Sequence, residues 1–256
     1  MKENVRLLVD GKESFKQIIK RIREAKKSIY MNVFIWRDDV IGNMIAKELL
    51  AAADKGVKIT VSKDRLGGIY EKAEENKQSF LHKYLDTRQW IKQKTIDIFY
   101  HPHLKAVGGW QKENRLVDQL LKHKNIRILR SKIKKDHSKY YIFDNEIFVT
   151  GGINIEDRTI ARDIRGSRWN DYMIEIKGKE FVNRLKQRIN GDANYDADSQ
   201  LEFVLNINKR KKFEIKRAIL RLLSDAKTVD IQMAYFGDKD IINKIISAAN
   251  NGTKVR

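Results

Sequence analysis

The sequence predicts an α/β protein built on a mixed, largely parallel sheet, with one domain copied twice and the second copy incomplete. Three observations predict it. Short, nearly continuous apolar runs such as Ile29–Trp36 (IYMNVFIW) read as strands buried on both faces. They alternate with stretches of helical periodicity such as Ile41–Ala53, and a β-α-β order implies parallel strands joined by right-handed crossovers. Finally, Lys227–Phe236 (KTVDIQMAYF) repeats the apolar pattern of Lys27–Trp36 (KSIYMNVFIW), and Asn251–Val255 (NGTKV) matches Lys55–Ile59 (KGVKI) after a four-residue contraction. Self-similarity at a long offset is the mark of a duplicated domain.

Phe15, Ile18, Ile19 and Ile22 open the chain with helical spacing, with Ser14 as the expected cap. The strand Ile29–Trp36 follows, then the helix Ile41–Ala53, closed by Gly56 just past its end. Val57, Ile59 and Val61 alternate as the next strand. Residues 71–94 read as mostly helical, Ile96–Tyr100 as a strand, Leu116–Leu121 as a helix and Ile126–Leu129 as a strand. A hairpin (Lys139–Phe143, Glu146–Thr150), the strand Tyr172–Ile176 and the helix Phe181–Ile189 complete a first domain, placed at 1–190. Residues 191–200, polar and poor in apolar side chains, read as a linker, and 201–256 as the start of the second domain. By the repeat's offset, the second copy of the hairpin would fall roughly 80 residues beyond Arg256, so the sequence reads as truncated.

Fifty-three Lys and Arg against 34 Asp and Glu give a formal charge of +19 and an isoelectric point near 9.9. That excess favours a polyanionic partner: an anionic membrane surface, nucleic acid or a phosphorylated substrate. Without cysteine, disulfides and thiolate metal sites are excluded. No run approaches the ~20 apolar residues of a membrane span, and the N-terminus lacks a signal-peptide core.

The hairpin carries the chemistry. With Asp144 and Asn145 as a two-residue loop, Phe143 would pair with Glu146, Tyr141 with Phe148 and Lys139 with Thr150, placing His137 opposite Gly152. Alternation puts His137 and Lys139 on one face, an imidazole beside an ammonium. Gly151 and Gly152 would leave that spot open, and Asn154 adds an amide. A nucleophile, a cation and an amide converging on open backbone suit phosphoryl transfer. Asp144 lies at the far end of the strand and reads as a turn cap. Glu156 and Asp157 read as flanking residues. His101-Pro-His103, with no nearby Cys or carboxylate, reads as a loop and not a metal site. The basic run Lys122–Lys135 leads into the motif and invites a phosphate-binding reading, while Lys209–Lys212 reads as a solvated helix start and Trp90 and Trp110 as core or interface residues.

His137-x-Lys139-x4-Asp144 with Gly151-Gly152-x-Asn154 resembles the motif of the phospholipase D superfamily. The segments Asp136–Ile189, including Arg168–Gly178 (RWNDYMIEIKG), and more weakly Ser28–Leu66 are similar to its bacterial cardiolipin synthase branch. The resemblance implies an α-β-α sandwich around a mixed sheet, and two such motifs facing each other. One histidine attacks a phosphodiester and forms a phosphohistidine; the other acts as acid and base. It further implies that Lys139, Asn154 and the Gly151–Gly152 backbone hold the substrate phosphate, that Asp171 orients a catalytic imidazole, and that no metal or cofactor takes part. The expected reaction is phosphatidyl transfer of the cardiolipin synthase kind, with hydrolytic phospholipase D, a nuclease of the same superfamily and a non-catalytic phosphate- or membrane-binding protein as alternatives. The expected partner is an anionic phospholipid membrane with a phosphatidylglycerol-type substrate, at the inner face of the cytoplasmic membrane. Nucleic acid ranks behind it, and a homodimer is the alternative source of a second motif.

Overall fold

The computed structural model describes residues 4–74, 80–81, 88, 91, 114–130, 136–160, 169–190, 201–206, 213–233 and 235–256. The expected strand Ile96–Tyr100, most of the 71–94 stretch, the linker 191–200, His101 and His103, Trp90 and Trp110, and Lys209–Lys212 lie outside them. Two compact units divide the chain, Met1–Asn183 and Arg184–Arg256.

The first unit is built on a seven-stranded sheet. In chain order its elements are β1 (Val5–Val9), α1 (Asp10–Glu24), β2 (Ser28–Val33), α2 (Val40–Asp54), β3 (Lys58–Lys63), α3 (Arg65–Glu74), α4 (Arg115–Lys122), β4 (Ile126–Arg130), β5 (Lys139–Phe143), β6 (Ile147–Gly151), β7 (Tyr172–Lys177) and α5 (Lys179–Asn190), whose last turns run past the division. The strand order is β1-β7-β6-β5-β2-β3-β4. Only β2–β3 and β3–β4 pair in parallel; the other four pairings are antiparallel. The sheet is therefore mixed but not largely parallel. The β-α-β units account for one half, while β5, β6 and β7 pair antiparallel with one another in chain order.

Two local readings change. Helix α1 starts at Asp10, so Ser14 lies inside it, buried; Glu13 reaches back to the Val9 N–H at 3.0 Å. Strand β1 is not among the expected elements; its Val5, Leu7 and Val9 are exposed.

The core packs α1, α2 and α4 on the sheet through Phe15, Ile18, Ile22, Ile45, Leu49, Met31, Val61, Tyr141 and Leu120, all almost fully buried. β2 ends at Val33, and the apolar run continues as a buried loop whose Trp36 forms a single bridge to Ile155. That bridge brings the loop after β2 against the loop after β6, where the expected site residues stand.

Candidate active site

Three strand ends meet beside His137. Parallel pairing sends the C-terminal ends of β2, β3 and β4 to one edge, and antiparallel β5 begins there. The residues before β5 are tied down by carboxylates. Asp136 accepts from the Asn32 Nδ2 of β2 at 2.9 Å and from the Ser138 N–H at 3.1 Å. Its own N–H donates to Asp64, just past β3, at 3.0 Å, and Asp64 also caps the Leu66 N–H at 2.7 Å.

Held this way, His137 is exposed and its ring lies on Phe34, centroids 4.3 Å apart. Lys139 is 3% exposed; its Nζ donates to the His137 carbonyl at 2.6 Å and stands 3.1 Å from Nδ1. An ammonium can only donate, so the ring nitrogen meeting it carries a lone pair and the imidazole is neutral. Desolvation and then the Lys139 charge push the His137 pKa below its ordinary value, against Asp136 and Asp64. Burial brings Lys139 down to about 8, opposed by Glu156, Asp171 and Asp136. At neutral pH the pair is a free base beside a cation that is still mostly charged.

The hairpin register differs by one residue from the expected one. Lys139 pairs with Gly151, Tyr141 with Val149 and Phe143 with Ile147, around a three-residue loop. Asp144 and Asn145 both take positive φ (51° and 59°), and the Glu146 N–H closes on the Phe143 carbonyl at 3.0 Å. Asp and Asn tolerate that left-handed conformation, which admits the extra residue. Asp144 stands at the far end of β5, where its carboxylate accepts from the N–H groups of Lys26, Lys27 and Ser28 at 2.7–2.8 Å. Burial is outweighed by these donors, and its pKa falls.

The two glycines are filled from behind. A side chain at Gly151 would strike the Tyr172 carbonyl of β7, and one at Gly152 would strike the Asp171 carboxylate at 2.4–2.5 Å. The space they free is thus taken by β7 and Asp171, not left open. Asp171 accepts from its neighbour's N–H, Tyr172, at 2.7 Å; among the described residues no hydrogen bond joins it to His137. Its charge reaches Lys139 instead.

Asn154 donates its Nδ2 to Glu156 Oε1 at 3.1 Å. Glu156, expected as a flanking residue, is fully buried between Arg37 Nε at 2.8 Å and Arg158 Nε at 2.7 Å. Arg158 in turn lies over the Trp169 ring, 4.2 Å from its centroid. Burial pushes the Glu156 pKa up, but the two guanidinium groups more than offset it and the carboxyl stays ionised. Arg37 also reaches the Glu71 carbonyl on α3, and Glu71 is paired with Lys63. Nothing in the one-dimensional pattern announces this buried network, apart from Arg37 standing at the close of an apolar run.

Only residues 122–130 of the basic run are described. Lys122 and Lys124 lie before β4, at the sheet edge opposite the site; Arg130 ends β4 on the site side, and 131–135 lie outside the described residues. Among the described residues no three His, Cys, Asp or Glu side chains are grouped to hold a metal ion, and no helix is long and apolar enough to cross a membrane.

A family model described as cardiolipin synthase, phospholipase D-like domain, matches residues 18–193. Cardiolipin synthase of Clostridium perfringens is 27% identical over the whole of this chain and 52% of its own length. Cardiolipin synthase 1 of Bacillus cereus is 28% identical over 98% of this chain and 48% of its own length. The chain thus spans about half the length of these curated relatives. Among solved structures, phosphatidylserine synthase of Haemophilus influenzae superposes on all of this chain and 61% of its own with a TM-score of 0.61 at 17% identity, a likeness of fold.

Proposed function

The chain belongs to the cardiolipin synthase, phospholipase D-like family, and on that premise we propose that it carries the nucleophile half of a phosphatidyltransferase site acting at an anionic membrane surface. The carrying observation is the neutral His137 imidazole held 3.1 Å from the Lys139 ammonium. In this reading a substrate phosphate draws the Lys139 Nζ onto a non-bridging oxygen, which releases the ring lone pair. His137 then attacks phosphorus as the P–O bond to the leaving alcohol breaks, and an imidazolium of a second such motif protonates that oxygen. In the return step the second imidazole takes the proton of the acceptor alcohol. The alcohol oxygen attacks phosphorus and the P–N bond to His137 breaks. Lys139 stabilises the charge that gathers on phosphorus in both steps. The charge of +19 is complementary to anionic lipid.

The test is turnover of phosphatidylglycerol vesicles, with acid-sparing trapping of the labelled intermediate. Label on His137, and loss of both the labelled intermediate and turnover in His137→Ala, are expected. Unchanged turnover in that variant would sink the assignment. Release of the headgroup to water, or cleavage of DNA in place of lipid, would move the chain to the hydrolytic or nuclease branch.

A further inference from the structure

We propose that Phe34 is a positioning residue of the transfer reaction, a single ring that floors both the His137 imidazole and the Lys139 ammonium. This deepens the phosphatidyltransferase reading and rests on it for the reaction served. Phe34 directly follows β2, is 4% exposed and meets both groups at once: its centroid lies 4.3 Å from that of the imidazole and 5.1 Å from Lys139 Nζ. Against the imidazole, the ring keeps water off one side and disfavours the charged form, while the rest of His137 stays open to a substrate. Beneath the ammonium, its π face takes the place of water around a buried cation. An aliphatic side chain could do the first and not the second.

The ring is held from behind by charges that the transfer chemistry does not use. Lys63, beside Val33 at the end of the β2–β3 ladder, and Glu71 on α3 are buried and paired with each other. A buried ion pair gains little over well-packed apolar side chains unless its remaining donors and acceptors are satisfied. Here the main chain on either side of Ile35 satisfies them: Lys63 Nζ donates to the Phe34 carbonyl at 2.9 Å, and the Trp36 N–H donates to Glu71 at 2.6 Å. Helix α3 also passes so close that a side chain at Gly67 would strike the Phe34 carbonyl. With β2 already ended at Val33, these contacts clamp the backbone that carries the ring.

The His137 ring reports on both groups, because its Nδ1 stands 3.1 Å from Lys139 Nζ. In the ¹⁵N-histidine-labelled chain it is assigned among the five histidines by its loss in His137→Ala, and its signals are followed by NMR against pH. Wild type should show one step below the ordinary imidazole value and a second near pH 8 from Lys139. The carboxylates that face the pair, Asp136, Asp64, Glu156 and Asp171, are the same in every Phe34 variant, so a moved step reports the ring. Phe34→Leu, which keeps water out, should leave the first step in place and drop the second further. Phe34→Ala, which admits water, should raise both. Both steps unmoved in both variants, with only a lower urea midpoint, would make Phe34 an ordinary core residue and overturn the proposal. Turnover gives a second arm: in Phe34→Ala, kcat should fall about tenfold or more with KM for the lipid within about twofold. A raised KM with kcat unchanged would overturn it too. Lys63→Met with Glu71→Gln keeps the buried volume and an acceptor for the Trp36 N–H, so the fold should survive. The first step should then rise although Phe34 is intact, and a step at its wild-type position would overturn the clamp. The titration needs no turnover, so if wild type transfers nothing, the family-level reaction fails while the two steps still decide on Phe34.

Discussion

The two β-α-β units, Ser28–Lys63 and Thr228–Val255, obey the same local rules but have different burial. In the first, Ser28 pairs with Lys58 and Ile29 with Ile59; in the second, Thr228 pairs with Lys254 and Val229 with Val255, both in parallel. Each helix starts on an aspartate cap, Asp39 for α2 and Asp238 for Lys239–Asn250. Each ends on a glycine with positive φ, Gly56 at 95° and Gly252 at 91°; the glycine N–H groups turn back onto Ala53 and Ala249, and those of their neighbours onto Ala52 and Ala248. Yet Met31 and Trp36 are 0% exposed while their counterparts Ile231 and Phe236 are 37% and 46% exposed. Caps and turns are written in a dozen residues. Burial is supplied by the neighbouring strands β4, β5 and β6, which the second unit lacks among its described residues.

The largest expected effect separates the copies by packing. Trp36 stacks on Phe80, centroids 4.7 Å apart, and donates Nε1 to the Gly42 carbonyl at 3.1 Å. Trp36→Ala should cost about 3–5 kcal/mol in urea unfolding of the first unit. Phe236→Ala, at the matching position, should stay within about 0.5 kcal/mol. Equal losses would show that Phe236 is packed in solution and would break the contrast.

The same division explains what the sequence disclosed. The strands β2, β3 and β5 were legible because apolar runs and period-2 alternation encode them directly, and the contact of Lys139 with His137 because the two stand one residue apart at the start of β5. The hairpin register was not, since a third loop residue depends on Asp144 reaching the N–H groups of Lys26–Ser28, more than a hundred positions away. Glu156 read only as a flanking residue because its partner Arg37 lies on another loop. Gly152 looked like an opening because the carboxylate that fills it belongs to Asp171. Long-range pairing is what short-range pattern omits.

A second test contrasts two lysines of opposite pKa direction. Lys139 is lowered to about 8 by burial, whereas Lys216 is raised by its hydrogen bonds to Asp240 and Asp238. For Lys139 the unfolded chain binds more protons than the folded one between about pH 8 and the ordinary lysine value, so its cost to stability is full below pH 8 and relieved above it. Lys216 contributes stability below the ordinary value and loses it as pH rises through its higher folded value. Lys139→Met should therefore gain on wild type by on the order of 3 kcal/mol at pH 7 relative to pH 10.5, less the lost bond to the His137 carbonyl. Chemical denaturation at both pH values reads this. A wild-type-to-variant gap independent of pH would mean that Lys139 stays hydrated. The same titration sets the alkaline limb of transfer near pH 8, with the acid limb below the ordinary imidazole value.

The smallest effect lies in the two caps, and its sign is the informative part. Asp39 accepts from Gly42 N at 2.8 Å and Asp157 N at 2.7 Å, and Asp157 returns the favour to Val40 and Ile41 at the start of α2. Burial, then the Asp157 charge and more weakly Glu156, lift Asp39 to about 7 despite those donors. Asp238 is lowered by Lys216 and by the N–H groups it caps. A raised carboxyl binds its proton in the folded state first, so the stability due to Asp39 is present below its ordinary value and falls away as pH rises toward 7. A lowered one does the reverse: the contribution of Asp238 is present above its ordinary value and is lost as pH falls through the folded one. Asparagine caps nearly as well as aspartate at any pH, so Asp39→Asn and Asp238→Asn isolate the charge. Between about pH 4 and pH 7 the Asp39→Asn protein should gain on wild type, while the Asp238→Asn protein should lose ground only as pH rises toward about 4 and stay level above it. Parallel pH profiles for the two variants would mean that the first cap is as hydrated as the second.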